Sequence, residues 1–111
     1  MSLAVGTIDV TGSTGNSQVF AVVLEVDNSG EDPDEGRRGL REELAPAMQH
    51  IPGFVSGFFM TAYERGLGMG VMVLETRVQA EELAGGFAVG MEMRPGVRVL
   101  RTEVLEVSAT A

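Results

Sequence analysis

Two apolar runs on either side of a glycine-rich stretch dominate the middle of the chain. The runs cover residues 54–63 and 71–74, and residues 64–70 between them carry three glycines, Gly66, Gly68 and Gly70. Short apolar runs broken by glycine are typical of strands joined by a turn, because glycine readily adopts the positive φ that a reversal needs. The pattern therefore predicts a long β-hairpin around which the rest of the chain folds.

Further strands are predicted on both sides of this hairpin. Residues 18–26 are apolar on nearly every position of both alternating faces, which indicates a central strand covered on both sides. In residues 97–107 the alternation changes phase between Val99 and Leu105, which predicts a bulge or a twist. A short strand over residues 4–10 is one interpretation of the N-terminal segment, and residues 11–17 have the composition of a flexible loop.

Capping signals predict one helix before the hairpin. Asp32 is placed as N-cap, Pro33 suits the first helical position, and Glu35 follows the cap by three residues. Pro46 lies within the helix and lacks a backbone donor, so a kink or a break is expected there. The apolar positions then form one stripe: Leu40, Leu44, Ala47, Met48 and Ile51.

A second helix is predicted after the hairpin. Thr76 and Gln79 match the capping-box pattern, in which the Gln79 side chain reaches back to the cap. The Gly85-Gly86 pair weakens this helix by about 1 kcal/mol per glycine relative to alanine, a cost that close packing against the sheet would justify. Its apolar positions are Ala80, Leu83, Ala84, Phe87 and Met91.

The resulting order, β-α-β-β-α-β, predicts an α+β, ferredoxin-like fold with a four-stranded antiparallel sheet and both helices on one face. Residues 18–107 would form this domain, residues 1–17 a flexible N-terminal segment and residues 108–111 a tail. Because the first strand is apolar on both faces, the face without helices needs a partner. The simplest partner is a second copy related by two-fold symmetry, so a homodimer is expected.

The composition of the chain excludes several classes of partner and of metal or redox site. The net charge of −8 argues against nucleic acid, which is bound through basic patches. The chain has no cysteine, which excludes disulfides and thiolate metal sites. No apolar run approaches the roughly 20 residues of a membrane-spanning helix, and no basic leader precedes an apolar segment. We therefore expect a cytoplasmic protein that interacts with neither membranes nor nucleic acids.

Several segments resemble the antibiotic biosynthesis monooxygenase-like family of dimeric α/β barrels. They are His50-Ile51-Pro52-Gly53-Phe54 before the hairpin, Val73-Leu74-Glu75-Thr76 before the second helix, Arg94-Pro95, and residues 99–107 with their Glu-Val-Leu-Glu-Val ending. The resemblance covers about residues 18–107 and rests on fold markers. It implies a dimer whose two sheets face each other, with a pocket in each subunit between sheet and helices.

Departures from the family pattern narrow the implied activity. Leu74 stands where the family often has tryptophan before the second helix. The haem-degrading branch has an axial histidine on the second helix and an asparagine on the first strand, and neither occurs in residues 77–93 or 18–26. Haem degradation is therefore not expected. The resemblance instead implies a cofactor-independent monooxygenase that acts on a small aromatic or quinol-type substrate and uses no metal or organic cofactor.

Three residues are the candidates for catalysis, each with a structural alternative. His50 could accept a proton, or it could favour the dipole at a helix C-terminus. Tyr63 could hydrogen-bond a substrate oxygen, or lie at the sheet rim with its hydroxyl in water. Arg101 could line a pocket, as could Arg98, or Arg101 could form a solvated edge pair with Glu103 on the same strand face.

The candidate ligand pocket is apolar. Its candidate lining residues are Phe58, Met60, Met72, Leu74 and Phe87, all of which core packing or a dimer interface would explain equally well. The glycines at residues 66–70 precede a strand, so they are interpreted as a hairpin turn and not as a phosphate-binding loop. The acidic residues at 31–35 lack the spacing of a calcium loop and suit a helix N-terminus, so no metal site is expected.

The alternative to an oxygenase is a non-catalytic dimeric barrel that binds a small apolar or aromatic ligand or has a structural role. An isomerase or a lyase on the same fold is a third interpretation. Few polar groups accompany the apolar ones, so the sequence favours binding at least as much as catalysis. It does not identify the ligand.

Overall fold

The computed structural model describes residues 18–111. The strand predicted over residues 4–10 and the flexible segment predicted over residues 1–17 lie outside the described residues. The elements follow one another as strand β1 (Phe20–Asp27), helix α1 (Pro33–Gly39, continued by Leu40–Leu44 and Ala45–Met48), strand β2 (Phe54–Ala62), strand β3 (Leu67–Leu74), helix α2 (Arg77–Gly85), strand β4 (Glu92–Arg94) and strand β5 (Val97–Glu106).

The strands form one antiparallel sheet in the order β2-β3-β1-β5-β4. The four longer strands have the order that a ferredoxin-like fold requires, so the chain has an α+β architecture compatible with that fold. Within residues 18–111 the sheet has five strands, where the sequence predicted four. Strand β4 was not predicted because its three residues are too few to show two full alternations.

Both helices cover the same face of the sheet. The core joins Phe20, Val22, Leu24, Met72, Leu74 and Val99 of the sheet to Met48 of α1 and Ala80 of α2, with Phe87 after α2. Burying a large apolar side chain contributes about 1.5–3 kcal/mol, so this cluster is the main source of stability. The other face, here called the open face, carries no helix from residues 18–111.

Helix α1 begins as predicted and then changes pitch. The Asp32 carboxylate accepts a hydrogen bond of 3.1 Å from the Glu35 backbone N–H, and Pro33 occupies the first turn. The prolyl nitrogen of Pro46 cannot donate to the carbonyl of Glu42, and its ring crowds that carbonyl. The chain responds with the π-helical turn Leu40–Leu44, so the predicted irregularity is a widened turn before the proline and the helix continues to Met48.

The hairpin reverses over fewer residues than predicted. A 3₁₀ turn, Tyr63–Arg65, leads to Gly66 at φ +65°, and β3 begins at Leu67. Gly68 and Gly70 therefore belong to the strand, where they pair with Val26 and Leu24 of β1. The prediction that they form part of the turn was wrong, because a glycine is also required where a neighbouring side chain lies across a strand.

Helix α2 has the predicted cap and ends earlier than predicted. The Thr76 hydroxyl oxygen accepts from the Gln79 backbone N–H at 3.1 Å, but the Gln79 side chain does not return to the cap. It packs instead against Gly53 at the start of the hairpin. The helix stops at Gly85, with Gly86 as C-cap, because two successive glycines favour ending a helix. Phe87 still reaches the core after this end.

The bulge predicted in the last strand is present. Glu25 of β1 pairs with Arg101 of β5 and Val26 pairs with Val99, so Leu100 has no partner on β1. An extra residue on one strand shifts the alternation by one position, which explains the phase change in the sequence.

Candidate functional site

A cleft between helix α1 and the sheet encloses a cavity of about 300 Å³. This volume lies at the lower end of the range for small-molecule sites. Most of its wall is apolar, since it is lined by Leu24, Val26, Leu40, Leu44, Ala47, Phe59, Met93 and Val97, and five polar side chains join them: Asn28, Glu31, Glu43, Thr61 and Arg94. The helical wall comes largely from the π-helical turn.

The two glycines of β3 shape the sheet side of this cavity. A Cβ on Gly70 would lie 3.2 Å from the Phe59 ring, and a Cβ on Gly68 would lie 3.0 Å from Val26. Real Cβ atoms rarely make such short contacts, so the absence of side chains lets Phe59 and Val26 lie over the strand. The Gly-x-Gly spacing thus places both gaps on the helix-covered face, in keeping with the alternation of a strand.

The polar residues of the cavity concentrate where β1 ends. Asn28 follows that strand, and its side-chain nitrogen would lie 3.3 Å from a Cβ on Gly68. Thr61 is the strand partner of Gly68 on the other side. Asn28 and Thr61 therefore flank Gly68 at the same end of the cavity, and the opposite end is apolar.

Hydrogen bonds fix the loop that carries Asn28. Its backbone N–H donates to Gly66 at 2.9 Å and its carbonyl accepts from Glu31 at 3.0 Å. The neighbouring Asp27 carboxylate accepts from the Ser29 hydroxyl and from the Ser29 backbone N–H, and these hydrogen bonds lower the pKa of Asp27. The position of Asn28 is consequently set by its backbone, which leaves its side chain free to face the cavity.

An ionic group lies beside this end of the cavity. The Arg94 guanidinium pairs with Glu31 and lies 4.0 Å from Glu43. Glu31 is the most buried of the three, with 15% of its side chain exposed, while 60% of Glu43 is exposed. Glu43 also pairs with Arg38 at 3.3 Å on the outer surface of the helix. The group made of Glu31, Arg94 and Glu43 has a formal charge of −1, from two carboxylates and one guanidinium.

The three candidate catalytic residues lie in different parts of the molecule, and none lines the cavity. His50 is exposed just after α1, and Tyr63 lies beyond the far end of β2. A nine-residue strand separates them, a length of roughly 30 Å at 3.3 Å per residue. Arg37 lies over the Tyr63 ring, with its guanidinium carbon 4.2 Å from the ring centroid.

Arg101 lies on the open face of the sheet, where it pairs with Glu103 and, at 3.1 Å, with Glu25 of the neighbouring strand. The structure thus shows Arg101 in the ion pair with Glu103 that the sequence offered as the alternative to a pocket position. Arg98, the other arginine considered on this strand, donates to the backbone carbonyl of Gly90 at 2.8 Å.

Of the five candidate pocket residues, Met60 borders the cavity through its backbone, and its side chain lies on the open face. Met72 and Leu74 are fully buried in the core, and Phe87 packs against the same cluster. Phe58 lies on the open face with 46% of its surface exposed. The periodicity identified apolar positions but did not distinguish the core, the cavity and the open face from one another.

The residues that line the cavity were mostly missed because they come from separate segments. Asn28 and Arg94 lie in or beside turns, and Thr61 and the two glycines were read as ordinary hairpin residues. A usable signal was present in Gly68-Met69-Gly70, because alternating glycines on one face of a strand leave room above that face. The signal is that Gly68 and Gly70 are two positions apart and therefore lie on the same face of the strand. The number of glycines in the segment is not informative.

The open face has an apolar part and a charged part. Strands β2 and β3 contribute most of its apolar side chains, Phe58, Met60, Leu67, Met69, Val71 and Val73, and Ala21, Val23 and Leu105 continue them onto β1 and β5. The charged part is the group of Glu25, Arg101 and Glu103. Phe58, Met60 and Leu67 are between 37% and 48% exposed. Contiguous exposed apolar side chains of this size are typical of interaction surfaces.

In comparisons with known proteins, no family model matches the chain and no curated protein matches it. The resemblance to the antibiotic biosynthesis monooxygenase-like family therefore stays a prediction. Within residues 18–111 no helix has the length and apolar character needed to cross a membrane. The same residues contain no group of three or more histidine, aspartate or glutamate side chains placed to hold a metal ion.

Proposed function

We propose that this chain binds a small aromatic or quinol-type molecule in the cleft between α1 and the sheet. The observation that carries the proposal is the cavity of about 300 Å³, which is apolar at one end and has polar side chains at the other. A site of this kind holds a planar apolar body by burial and orients it through a few polar contacts. The family resemblance supports the proposal, because it also implies a pocket between sheet and helices.

The dimer belongs to the same proposal. The open face exposes Phe58 and Met60 next to partly buried Val71, and a second copy would remove these side chains from water. A two-fold dimer through this face would be the dimeric α/β barrel that the resemblance implies. Light scattering at micromolar concentration tests the dimer directly. A monomer at that concentration would contradict the prediction that the apolar open face is covered by a second copy.

A matched pair of variants tests the binding site. Ala47 lines the cavity from α1 and is exposed, so Ala47→Phe would fill the cleft without replacing a core residue. Ala88 is exposed beyond the end of α2 and does not line the cavity, so Ala88→Phe adds the same ring elsewhere. Binding of 2-naphthol, followed by its fluorescence, should weaken at least tenfold in Ala47→Phe and remain unchanged in Ala88→Phe. Equal binding by both variants would place the ligand elsewhere.

A cofactor-independent oxygenase is the second candidate, and the Glu43 carboxylate on the cavity wall favours it. In such a reaction the substrate carbon loses a proton to a base, and the resulting carbanion transfers electrons to O₂. One oxygen atom becomes the carbonyl of the product and the other leaves as water with the two substrate hydrogens. The protein would supply a base and an apolar site, since the electrons come from the substrate itself.

Oxygen consumption with hydroxyanthrones and quinols tests this second candidate. Uptake above the spontaneous rate should fall in Glu43→Gln, since the amide cannot accept the proton. Tyr63→Phe serves as the comparison, because Tyr63 is a sequence candidate that does not line the cavity. Loss of uptake in Tyr63→Phe, with uptake retained in Glu43→Gln, would instead support Tyr63 as the residue that hydrogen-bonds the substrate. No uptake by the unmodified protein would leave ligand binding as the function.

A further inference from the structure

The polar end of the cavity contains two side chains without hydrogen-bond partners among residues 18–111. Neither the Asn28 amide nor the Thr61 hydroxyl is bonded to another residue of this part of the chain. Both groups line the cavity, on either side of Gly68. Polar groups at the edge of an apolar site lose their bonds to water when an apolar ligand covers them, at a cost of about 1–3 kcal/mol each.

The same two groups are held in place by their backbones. The Asn28 backbone is hydrogen-bonded to Gly66 and Glu31, and Thr61 lies within the paired region of β2 and β3. Because these backbones are already ordered, ligand binding does not have to order a loop, and this lower entropic cost favours affinity. The Asn28 amide can donate and accept, and the Thr61 hydroxyl can do both as well. Together they match a ligand oxygen that is a hydroxyl or a carbonyl.

The charged residues beside them do not favour an anionic ligand. Arg94 is already paired with Glu31, and the second carboxylate nearby, Glu43, gives this group a formal charge of −1. The whole chain also carries a net charge of −8. A ligand carboxylate would have to displace Glu31 from Arg94 and leave a largely buried carboxylate unpaired, which is costly.

We propose that Asn28 and Thr61 form a polar subsite that selects neutral aromatic ligands bearing a hydroxyl or carbonyl oxygen, and that Arg94 is a structural part of the wall. This inference rests on the proposed binding function and adds the residues that determine ligand selection. Binding then places the ligand oxygen between the Asn28 and Thr61 side chains, beside the Val26 side chain that covers Gly68, with the ring against Phe59 and the apolar end of the cavity.

Three naphthalene probes of similar size separate the possibilities. The neutral oxygen is present in 2-naphthol, 2-methylnaphthalene replaces it with a methyl group, and 2-naphthoate carries an anion. The subsite predicts that 2-naphthol binds roughly tenfold more tightly than 2-methylnaphthalene, the difference expected from two net hydrogen bonds. It also predicts that 2-naphthoate binds more weakly than either neutral probe.

Variants identify the residues responsible. Thr61→Val and Asn28→Ala should each reduce the affinity for 2-naphthol roughly three- to tenfold and leave that for 2-methylnaphthalene within twofold. Thr110→Val, in the exposed tail, is the control and should change neither affinity. The unchanged affinity for 2-methylnaphthalene also shows that the variants are folded, since a misfolded chain would lose both probes.

Each other outcome overturns a stated part of the account. Equal affinities for 2-naphthol and 2-methylnaphthalene would refute the subsite while leaving the binding site intact. Tightest binding of 2-naphthoate would make Arg94 the anchor and refute the selection of neutral ligands. No binding of any probe would refute the proposed function together with the inference.

Discussion

Gly53, in the Pro-Gly-Phe segment before the hairpin, offers the sharpest test of how this fold is held together. Its backbone has φ +81°, a conformation in which a side chain is strained, and its carbonyl accepts from the Glu75 N–H at 2.9 Å. A Cβ at this position would fall on the side-chain carbonyl oxygen of Gln79. Gly53→Ala therefore meets two obstacles, the backbone conformation and the Gln79 side chain.

The two contributions can be estimated separately. A left-handed conformation costs a residue with a Cβ roughly 1–2 kcal/mol relative to glycine. Displacing Gln79 from its packed position adds about 1 kcal/mol, the lower part of the range for overpacking, because a long side chain can move. The expected loss of unfolding free energy is about 2–3 kcal/mol, which for a domain of this size lowers Tm by roughly 10 °C.

Urea unfolding followed by circular dichroism measures this loss of stability. A double variant separates the cost of the backbone conformation from the cost of the clash with Gln79. In Gly53→Ala/Gln79→Ala the clash is absent, so the extra alanine at position 53 should cost about 1–2 kcal/mol relative to Gln79→Ala alone. Gly85→Ala is the control, since Gly85 is helical and no atom of residues 18–111 lies within 4 Å of its added Cβ. That variant should be as stable as the parent or gain up to about 1 kcal/mol. A loss below about 0.5 kcal/mol in Gly53→Ala would refute the reasoning.

Three further predictions concern stability. Met72→Ala should cost about 2–5 kcal/mol in urea unfolding because Met72 is fully buried, whereas Met60→Ala on the open face should cost under 1 kcal/mol as long as the chain is monomeric. Asp32→Ala removes the N-cap of α1 and should cost about 1 kcal/mol, and Asp32→Asn should restore most of it. The hydrogen bonds from Ser29 lower the pKa of Asp27 below its ordinary 3.8, so its contribution is complete above that pH and disappears as the pH falls through the lowered value. Acid titration of Asp27→Asn should accordingly lose less stability below pH 4 than the parent, and equal losses would refute the role of Asp27.

The architecture was predictable because each element carries its own local signal. The two apolar faces of β1 indicated a central strand, and β3 and β5 indeed lie on either side of it. The Asp32 and Thr76 caps marked the helix starts, since capping depends on residues three positions apart in sequence. The bulge at Leu100 was visible as a change of alternation for the same reason.

Features that depend on distant contacts were not predictable in this way. Gly68 and Gly70 were taken for turn residues, because the side chains that lie across them, Val26 and Phe59, belong to other strands. Gln79 was expected to close the capping box, but its packing partner is Gly53, which precedes it by 26 positions. The length of α2 was overestimated because helical spacing of apolar residues continues past the glycines that end it.

The site was the least predictable part for the same physical reason. A cavity forms where elements fail to meet, so its lining depends on how α1 and the sheet are positioned and not on any single segment. Asn28 gave no signal, and Arg94 was noted only in a predicted turn and in the Arg94-Pro95 segment of the family resemblance. His50 and Tyr63 were predicted as site residues from their side-chain chemistry alone, and they lie outside the cleft.

The most direct test of the central claim is the map of backbone amide chemical shifts on titration with 2-naphthol. If the ligand binds in the cleft, the changes are centred on residues around the cavity, including Leu44, Phe59, Thr61 and Gly68. Smaller changes are expected at Val71 and Glu103, whose side chains lie on the open face. Changes centred on the open face, or no changes at ligand concentrations that saturate the fluorescence signal, would contradict a binding site between helix α1 and the sheet.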